Sequence, residues 1–394
     1  MSFDPSSEFV NTSVSPLDSS YTFHHEDVDV DVKARQDAMD IARGMCIVFM
    51  IAQHTVSYWG HSDIQGTGYF KWTTTGPGDV AVMFMFIMGI NSANFSRQSA
   101  KQMAKRGVKF LIFGYIVNLL RDQIPLMLAC HFRGLCYTDF GSVFMFRGEY
   151  DNVFLVDIFQ FAGGAMIFLS LLRAHGLSIN GHLSISLLFI LALACIETDS
   201  DFTGFVGYYV IGTFYLNFFP FRNWLIFPVT GLVMGHYWRP YGLFTKDSFP
   251  MKKVTVVAVV LFGLLFTGMF VYPEVLDHYG FHNYKGYYNQ NLLTNLFFVC
   301  QNILVLEVLR LLVRRHLIAD WFFKFIKFWS RNIVAIYLVS WITIGFASFL
   351  ICGVDNRINS VPLLFSAMVF VMLTSDLIVR FINPISKTLK KMLK

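Results

Sequence analysis

Charge is what this chain has least of. Only 14% of its 394 residues are Asp, Glu, Lys or Arg, while 55% are hydrophobic; a soluble domain carries roughly a quarter charged residues. A water-facing surface cannot be made from so little charge, which excludes an ordinary soluble enzyme or nucleic-acid binder. Nowhere do His, Cys, Asp or Glu fall at metal-ligand spacing, so no metal centre is expected. No inverted internal repeat is visible, and the simplest mark of a secondary transporter is missing with it. The first 32 residues contain no apolar core, which rules out a signal peptide and a packed domain alike. They read as a disordered polar cytoplasmic tail ahead of a single domain over 33–394. Six cysteines are present. Cys130 and Cys136, together with Cys195 and Cys352, fall where an oxidising face would allow a disulfide, whereas Cys46 and Cys300 fall inside apolar runs and are expected free.

What the chain does have is apolar runs, with Phe alone at 43 residues. A helix needs about 20 apolar residues to cross roughly 30 Å of hydrocarbon. Runs of that kind centre on 41–60, 79–96, 107–124, 153–173, 182–196, 222–239, 253–272, 290–312, 332–352 and 361–382. The expected fold class is therefore all-α, a polytopic transmembrane bundle of about ten helices. Net charge is +5, but its distribution matters more than its sum. Arg97, Lys101, Lys105, Arg106 and Lys109, then Arg173, then Arg239, Lys246, Lys252 and Lys253, then Arg310, Arg314, Arg315, Lys324 and Lys327 fall between alternate pairs of runs. The tail adds Lys387, Lys390, Lys391 and Lys394. The opposite loops carry Glu197, Asp199, Asp201, Glu274 and Asp277. The positive-inside rule then puts both termini in the cytoplasm of a multi-pass protein of a bacterial inner membrane or its equivalent. Two stretches, 121–152 and 201–221, fit the pattern poorly and read either as outer re-entrant segments or as amphipathic loops.

Ionisable residues inside a span are costly and mark functional candidates. The first span, RQDAMDIARGMCIVFMIAQHTVSYWG, is the richest. Asp40 and Arg43 are three residues apart and share a helix face at its cytoplasmic end. His54 follows Arg43 by eleven residues, about three turns and about 16 Å, and so lies on the same face in the outer half. Imidazole, with an unperturbed pKa near 6.5, can take a proton from an attacking hydroxyl or amine; a structural His bonded to a neighbouring helix is an equal reading at this stage. His61, just beyond, is a second candidate. Arg121 and Asp122 are expected to close the third span at the outer face, as a sugar-binding pair or an interfacial ion pair. Asn91, Ser92 and Asn94 read as interhelical hydrogen-bond glue.

The run RQDAMDIARGMCIVFMIAQH resembles the first-helix signature of polytopic membrane acyltransferases, R-x-x-x-(L/M)-D-x-x-R-G followed by a polar residue at the position of His54. GPGDVAVMFMFIMGINSANFSRQSAKQMAKRGVKFLIFGYIVNLL is similar to the heparan-α-glucosaminide N-acetyltransferase branch, through Asp79, Gly89, Arg106, Gly114 and Asn118. VDIFQFAGGAMIF around Gln160, FPVTGLVMGHYW around Gly235 and FWSRNIVAIYLVSW around Asn332 and Tyr337 extend the likeness to about residue 345. The chain departs from the branch at Gln160-Phe161, where a Gln-Arg pair is common.

The resemblance implies an acetyl-CoA dependent acyltransferase. It would pass an acyl group, most simply acetyl, from cytoplasmic acyl-CoA to a hydroxyl or amine of an extracytoplasmic sugar. His54, His61 and Asp79 are then the expected catalytic residues, with a His as general base or acyl acceptor. Asp40, Arg43, Arg106, Lys109 and His236 would attend the coenzyme, since guanidinium forks grip phosphate bidentately. Asn118, Arg121, Gln160 and Asn332 would face the acceptor. Expected partners are membrane lipids and a glycan or glycolipid acceptor, with no nucleic acid and with a homo-oligomer left open. A transporter or flippase of a small polar or glycolipid cargo is the competing reading, and a catalytically silent assembly partner a third.

Overall fold

In lipid a backbone must satisfy its own hydrogen bonds, which continuous apolar runs of this length do as helices, and helices are what the described residues form. A computed structural model describes residues 25–65, 67, 80–93, 99–135, 150–194, 217–237, 251–271, 290, 292–352 and 357–392. Among these the elements are α1 (His25–Trp59), α2 (Val80–Ser92), α3 (Ala100–Asn118), a π turn (Leu119–Gln123), α4 (Ile124–Arg133) and α5 (Ile158–Ala174). They continue with α6 (Ile179–Ala194), α7 (Ile226–Tyr237), α8 (Met251–Val271), α9 (Leu292–Arg314) and α10 (Asp320–Arg331). The last are α11 (Ile333–Ala347), which runs into a second π segment (Ser348–Cys352), and α12 (Val361–Met392). Only isolated bridges, Gly60 with Ile358 and Val156 with Asn217, represent β structure among the described residues.

Among the described residues, each of the ten apolar runs contains helix. Among the described residues, four helical stretches are long and apolar enough to cross a bilayer: Ala100–Arg133, Leu292–Arg314, Ile333–Ile351 and Val361–Pro384. Val80–Ser92, Ile158–Ala174, Ile179–Leu193 and Lys253–Gly268 are shorter apolar helices. Three boundaries differ from the sequence reading. The first helix starts at His25, eight residues before the expected start of the domain at 33. The third span does not end at Arg121. One extra residue per turn at Leu119–Gln123 lets the helix continue to Arg133, so Arg121 and Asp122 lie inside a 34-residue helical stretch and not at its end. α10 was no expected span at all. Its twelve residues, DWFFKFIKFWSR, alternate apolar and basic at helical spacing and form a strongly amphipathic helix. Cys46, Cys130 and Cys300 form no disulfide, while Cys136 and Cys195 lie outside the described residues.

Two helix pairs pack backbone on backbone: lipid supplies no hydrophobic drive for helices to associate, so close van der Waals contact must hold them, and glycine permits that approach. A Cβ on Gly107 would stand 2.6 Å from the Gly163 carbonyl oxygen, and one on Gly163 would stand 2.6 Å from that of Gly107; Gly114 meets the Gln160 side chain one turn away. These contacts make α3 and α5 antiparallel neighbours. Gly231 against the Phe86 carbonyl and Gly235 against that of Ile90 lock α2 and α7 side by side in parallel. The largest cluster of buried apolar residues surrounds α1, drawing Ile41, Ile47, Ile51 and Val56 together with Phe86, Trp329, Ile336, Trp341 and Leu364. α1 is thus the axis against which α2, α9, α10, α11 and α12 pack.

Candidate active site

Opposite ends of α1 carry different chemistry. At the lower end Asp40 pairs with Arg43 and accepts a hydrogen bond from Ser330 Oγ at 3.2 Å, and Lys327 Nζ lies 2.5 Å from Asp37 Oδ1. These bonds fasten α10 beneath α1. Arg43 and Arg106 line one cleft with Phe84, Met88, Asn91 and Phe110, and it holds about 940 Å³ of empty space with its open mouth included. At the upper end Gln53, His54, Asp157 and Phe219 line a second, smaller space of about 420 Å³. Phe84, Ile158 and Tyr337 line both. Three side chains therefore form the partition between an arginine-flanked cleft and a histidine-flanked one.

Behind the walls of the upper space, lining neither cleft, lies a buried guanidinium. Arg121 is 2% exposed, its Nε 2.7 Å from Asp122 Oδ2 and its Nη1 2.5 Å from Asp157 Oδ2. Asn118 Oδ1 accepts from Nη2 at 3.4 Å. The face of that guanidinium lies 4.3 Å from the ring centre of Trp341, and on Trp341 also packs the His54 ring, centroid to centroid 4.0 Å. His54 makes no hydrogen bond to the described residues, which leaves both ring nitrogens for whatever enters the space. Asp157 reaches it from the N-cap of α5: its Oδ1 accepts from the Ile158 amide at 2.7 Å, and Gln160 Oε1 accepts from the Asp157 amide at 3.2 Å. The Tyr337 hydroxyl donates to Asp157 Oδ2 at 3.5 Å. Close approach of α11 depends on Gly345, where a Cβ would sit 2.0 Å from the Arg121 carbonyl oxygen.

One guanidinium, that of Arg121, is shared by two carboxyl groups, Asp122 and Asp157, in a buried site. Burying ions costs several kcal/mol each unless their partners and hydrogen bonds are complete. A matched apolar core would be as stable, so stability alone does not account for the cluster.

The expected site residues divide clearly. His54 and Arg121 meet at the upper end through Trp341, and Arg43 and Arg106 meet in the lower cleft. Asn118 is spent on structure: its Nδ2 donates to the carbonyls of Val153 at 3.2 Å and Leu155 at 2.7 Å, holding the segment that leads to Asp157. Gln160 is fully buried in its capping role. Asp40 is committed to Arg43 and Ser330, so it orients the cleft's arginine. Asn332 sits at the lower end, donating to Phe328 O at 2.9 Å and accepting from Asn383 at 2.9 Å, far along α11 from Trp341. Lys109 points outward and His236 ends α7, neither lining the two spaces. His61 lies past the end of α1, partly exposed with Nδ1 3.2 Å from Asp63, also off both. Asp79 lies outside the described residues; Val80, next in sequence, lines the upper space.

Sequence reading passed over Asp157, Gln53 and Trp341. Asp157 carried a usable signal, an acid inside the fourth apolar run, which the cost of intramembrane charge should have singled out. Trp341 carried none, because an aromatic in an apolar helix is the commonest thing in this chain.

Among curated proteins and among solved structures nothing matches significantly. Residues 35–272, well over half the chain, match the catalytic region of heparan-alpha-glucosaminide N-acetyltransferase. The matched segment contains Arg43, His54, Arg106, Arg121 and Asp157 and stops before Tyr337 and Trp341. A chain in which α1, α2, α3 and the start of α5 supply most of the lining of both clefts, and whose sequence matches over 35–272, belongs to the heparan-alpha-glucosaminide N-acetyltransferase catalytic family.

Proposed function

We propose that this protein transfers an acetyl group across the membrane, from acetyl-CoA in the cytoplasm to a hydroxyl or amine of a sugar on the opposite side. One observation carries the reading: the Arg43 and Arg106 cleft and the His54 and Asp157 space share the walls Phe84, Ile158 and Tyr337. Coenzyme phosphates meet the two guanidinium groups at the lower mouth. The apolar lining beyond, including Ile87, Met166 and Ile333, suits an uncharged thioester-bearing arm. The thioester then reaches the partition, and His54 faces it from above.

There the neutral imidazole takes the proton of the attacking hydroxyl or amine as its oxygen or nitrogen bonds to the thioester carbonyl carbon; the carbon–sulfur bond breaks and the coenzyme leaves as thiol. In the two-step version His54 itself attacks first and the acceptor removes the acetyl group from its ring. In both versions Trp341 fixes the imidazole plane, and the carboxylate of Asp157 stabilises positive charge that develops on His54. Both termini lie in the cytoplasm, with the basic ends of α3 and α10 on that side, and the protein resides in a membrane bounding the cytoplasm.

The test is purified protein in detergent with radiolabelled acetyl-CoA, wild type against His54→Ala, over a panel of amino sugars and sugar alcohols. Binding of coenzyme by both and label release or transfer by wild type alone is the expected result. A wild type that neither binds acetyl-CoA nor releases its acetyl group defeats the proposal.

A further inference from the structure

The amphipathic helix α10 connects two stretches of membrane-crossing length, α9 and α11, so it lies at one face of the bilayer. Its inner side is fully engaged. Trp329 Nε1 donates to Asp376 Oδ1 at 2.9 Å, Lys327 reaches Asp37, Ser330 reaches Asp40, and the Arg380 guanidinium lies 4.0 Å over the Phe328 ring. Its other side is not. Trp321 is 73% exposed and Leu317, in the turn before it, 64%. Beside them Arg314, Arg315, Lys324 and Arg331 are all exposed, and no described ion pair involves any of them. Asp320 is the one acid from 314 to 331. α12 ends at the same level, where Asn383 bonds Asn332, and its last turns carry Lys387, Lys390 and Lys391.

We infer that the turn after α9 and the outward side of α10 bind the headgroups of anionic phospholipids, at the bilayer face onto which the Arg43 cleft opens. Trp321 and Leu317 enter the boundary between headgroups and acyl chains, as interfacial aromatic and aliphatic residues do. Arg314, Arg315 and Lys324 stand around them to pair with phosphate, each contributing to attraction that falls off within a Debye length of the surface. Position selects lipid here: at a bilayer face the cations meet headgroup phosphates while Trp321 and Leu317 meet the acyl boundary beneath them, and the two kinds of contact come from one molecule. The same helix holds Asp40 and through it Arg43, so the lipid sits one bonded step from the cleft. The inference depends on the protein being in a membrane and is independent of acetyl transfer.

Native mass spectrometry of the full chain in detergent, given equimolar phosphatidylglycerol and phosphatidylcholine, reads this directly. Wild type should retain phosphatidylglycerol several-fold over phosphatidylcholine. The variant Arg314→Gln/Arg315→Gln/Lys324→Gln should lose most of that preference, while Lys101→Gln/Lys105→Gln/Lys109→Gln, with the same change in net charge on α3, should keep it. No preference in wild type overturns the inference whether or not the variants fold. So does retention by the α10 variant, or equal loss in both, which would make the effect one of overall charge.

Discussion

Replacing Arg121 by Gln tests the buried cluster most sharply. The guanidinium satisfies Asp122 and Asp157 at 2.7 and 2.5 Å, packs on Trp341 and is 2% exposed. Glutamine leaves two carboxylates a few ångströms apart in a dry site with one neutral amide between them. Removing one partner of a buried ion pair costs about 3–5 kcal/mol, and loss of the guanidinium stacked on Trp341 adds about 1 kcal/mol. At roughly 2 °C per kcal/mol for a large chain, Tm should fall by about 8–12 °C. Thermal unfolding in detergent, followed through a thiol-reactive dye that reports the buried Cys46 and Cys300, measures it. Adding Asp157→Asn to Arg121→Gln should recover part of the loss, because the unpaired charge goes with it, and a double-mutant cycle should give a coupling of about 1–3 kcal/mol. A single variant that melts within 2 °C of wild type, or a cycle with no coupling, would show that the three groups are not the interlocked unit drawn above.

Gly345→Val should lower Tm as well, by several degrees, since its side chain would push α11 off Arg121 in a core where overpacking costs about 1–3 kcal/mol. The readout that separates it from general damage is a double-mutant cycle with Arg121→Gln, in which the two losses should not add because both act on the same helix contact. Arg43→Gln and Arg106→Gln should each weaken acetyl-CoA binding about tenfold by calorimetry, the value of one charge-assisted phosphate contact, and wild-type affinity should fall as salt rises; unchanged affinity in both would move the coenzyme elsewhere. Asp40→Asn should weaken the same binding less, by freeing Arg43 from its anchor. His54→Ala should abolish transfer with Tm kept within a few degrees and acetyl-CoA affinity unchanged, whereas His61→Ala should leave turnover within about twofold of wild type; the reverse pattern would place the chemistry in the loop.

Much of this protein could be read before any coordinates. Scarce charge and repeated apolar runs dictate helices, because the bilayer leaves backbone groups no other partner, and each run does carry a helix. The eleven-residue interval between Arg43 and His54 places them three turns apart on one helix whatever surrounds it, and the matched family segment begins there. Gly107, Gly163 and Gly114 were visible as glycines in apolar helices, a sign of close packing without the identity of the partner.

What the sequence could not supply were meetings between helices distant in the chain. That Arg121 turns inward depends on a π turn with no clear local signal, and that it finds Asp157, 36 residues on, and Trp341, 220 residues on, depends on how α3, α5 and α11 dock. That His61 falls off the site while His54 falls on it depends on where α1 ends against residue 358. Local hydrophobicity determines which segments become helices, because each segment settles that with its own solvent. Which side chains face one another is decided by steric fit between helix surfaces, through contacts such as Gly345 on Arg121, and that information exists only once the helices are together.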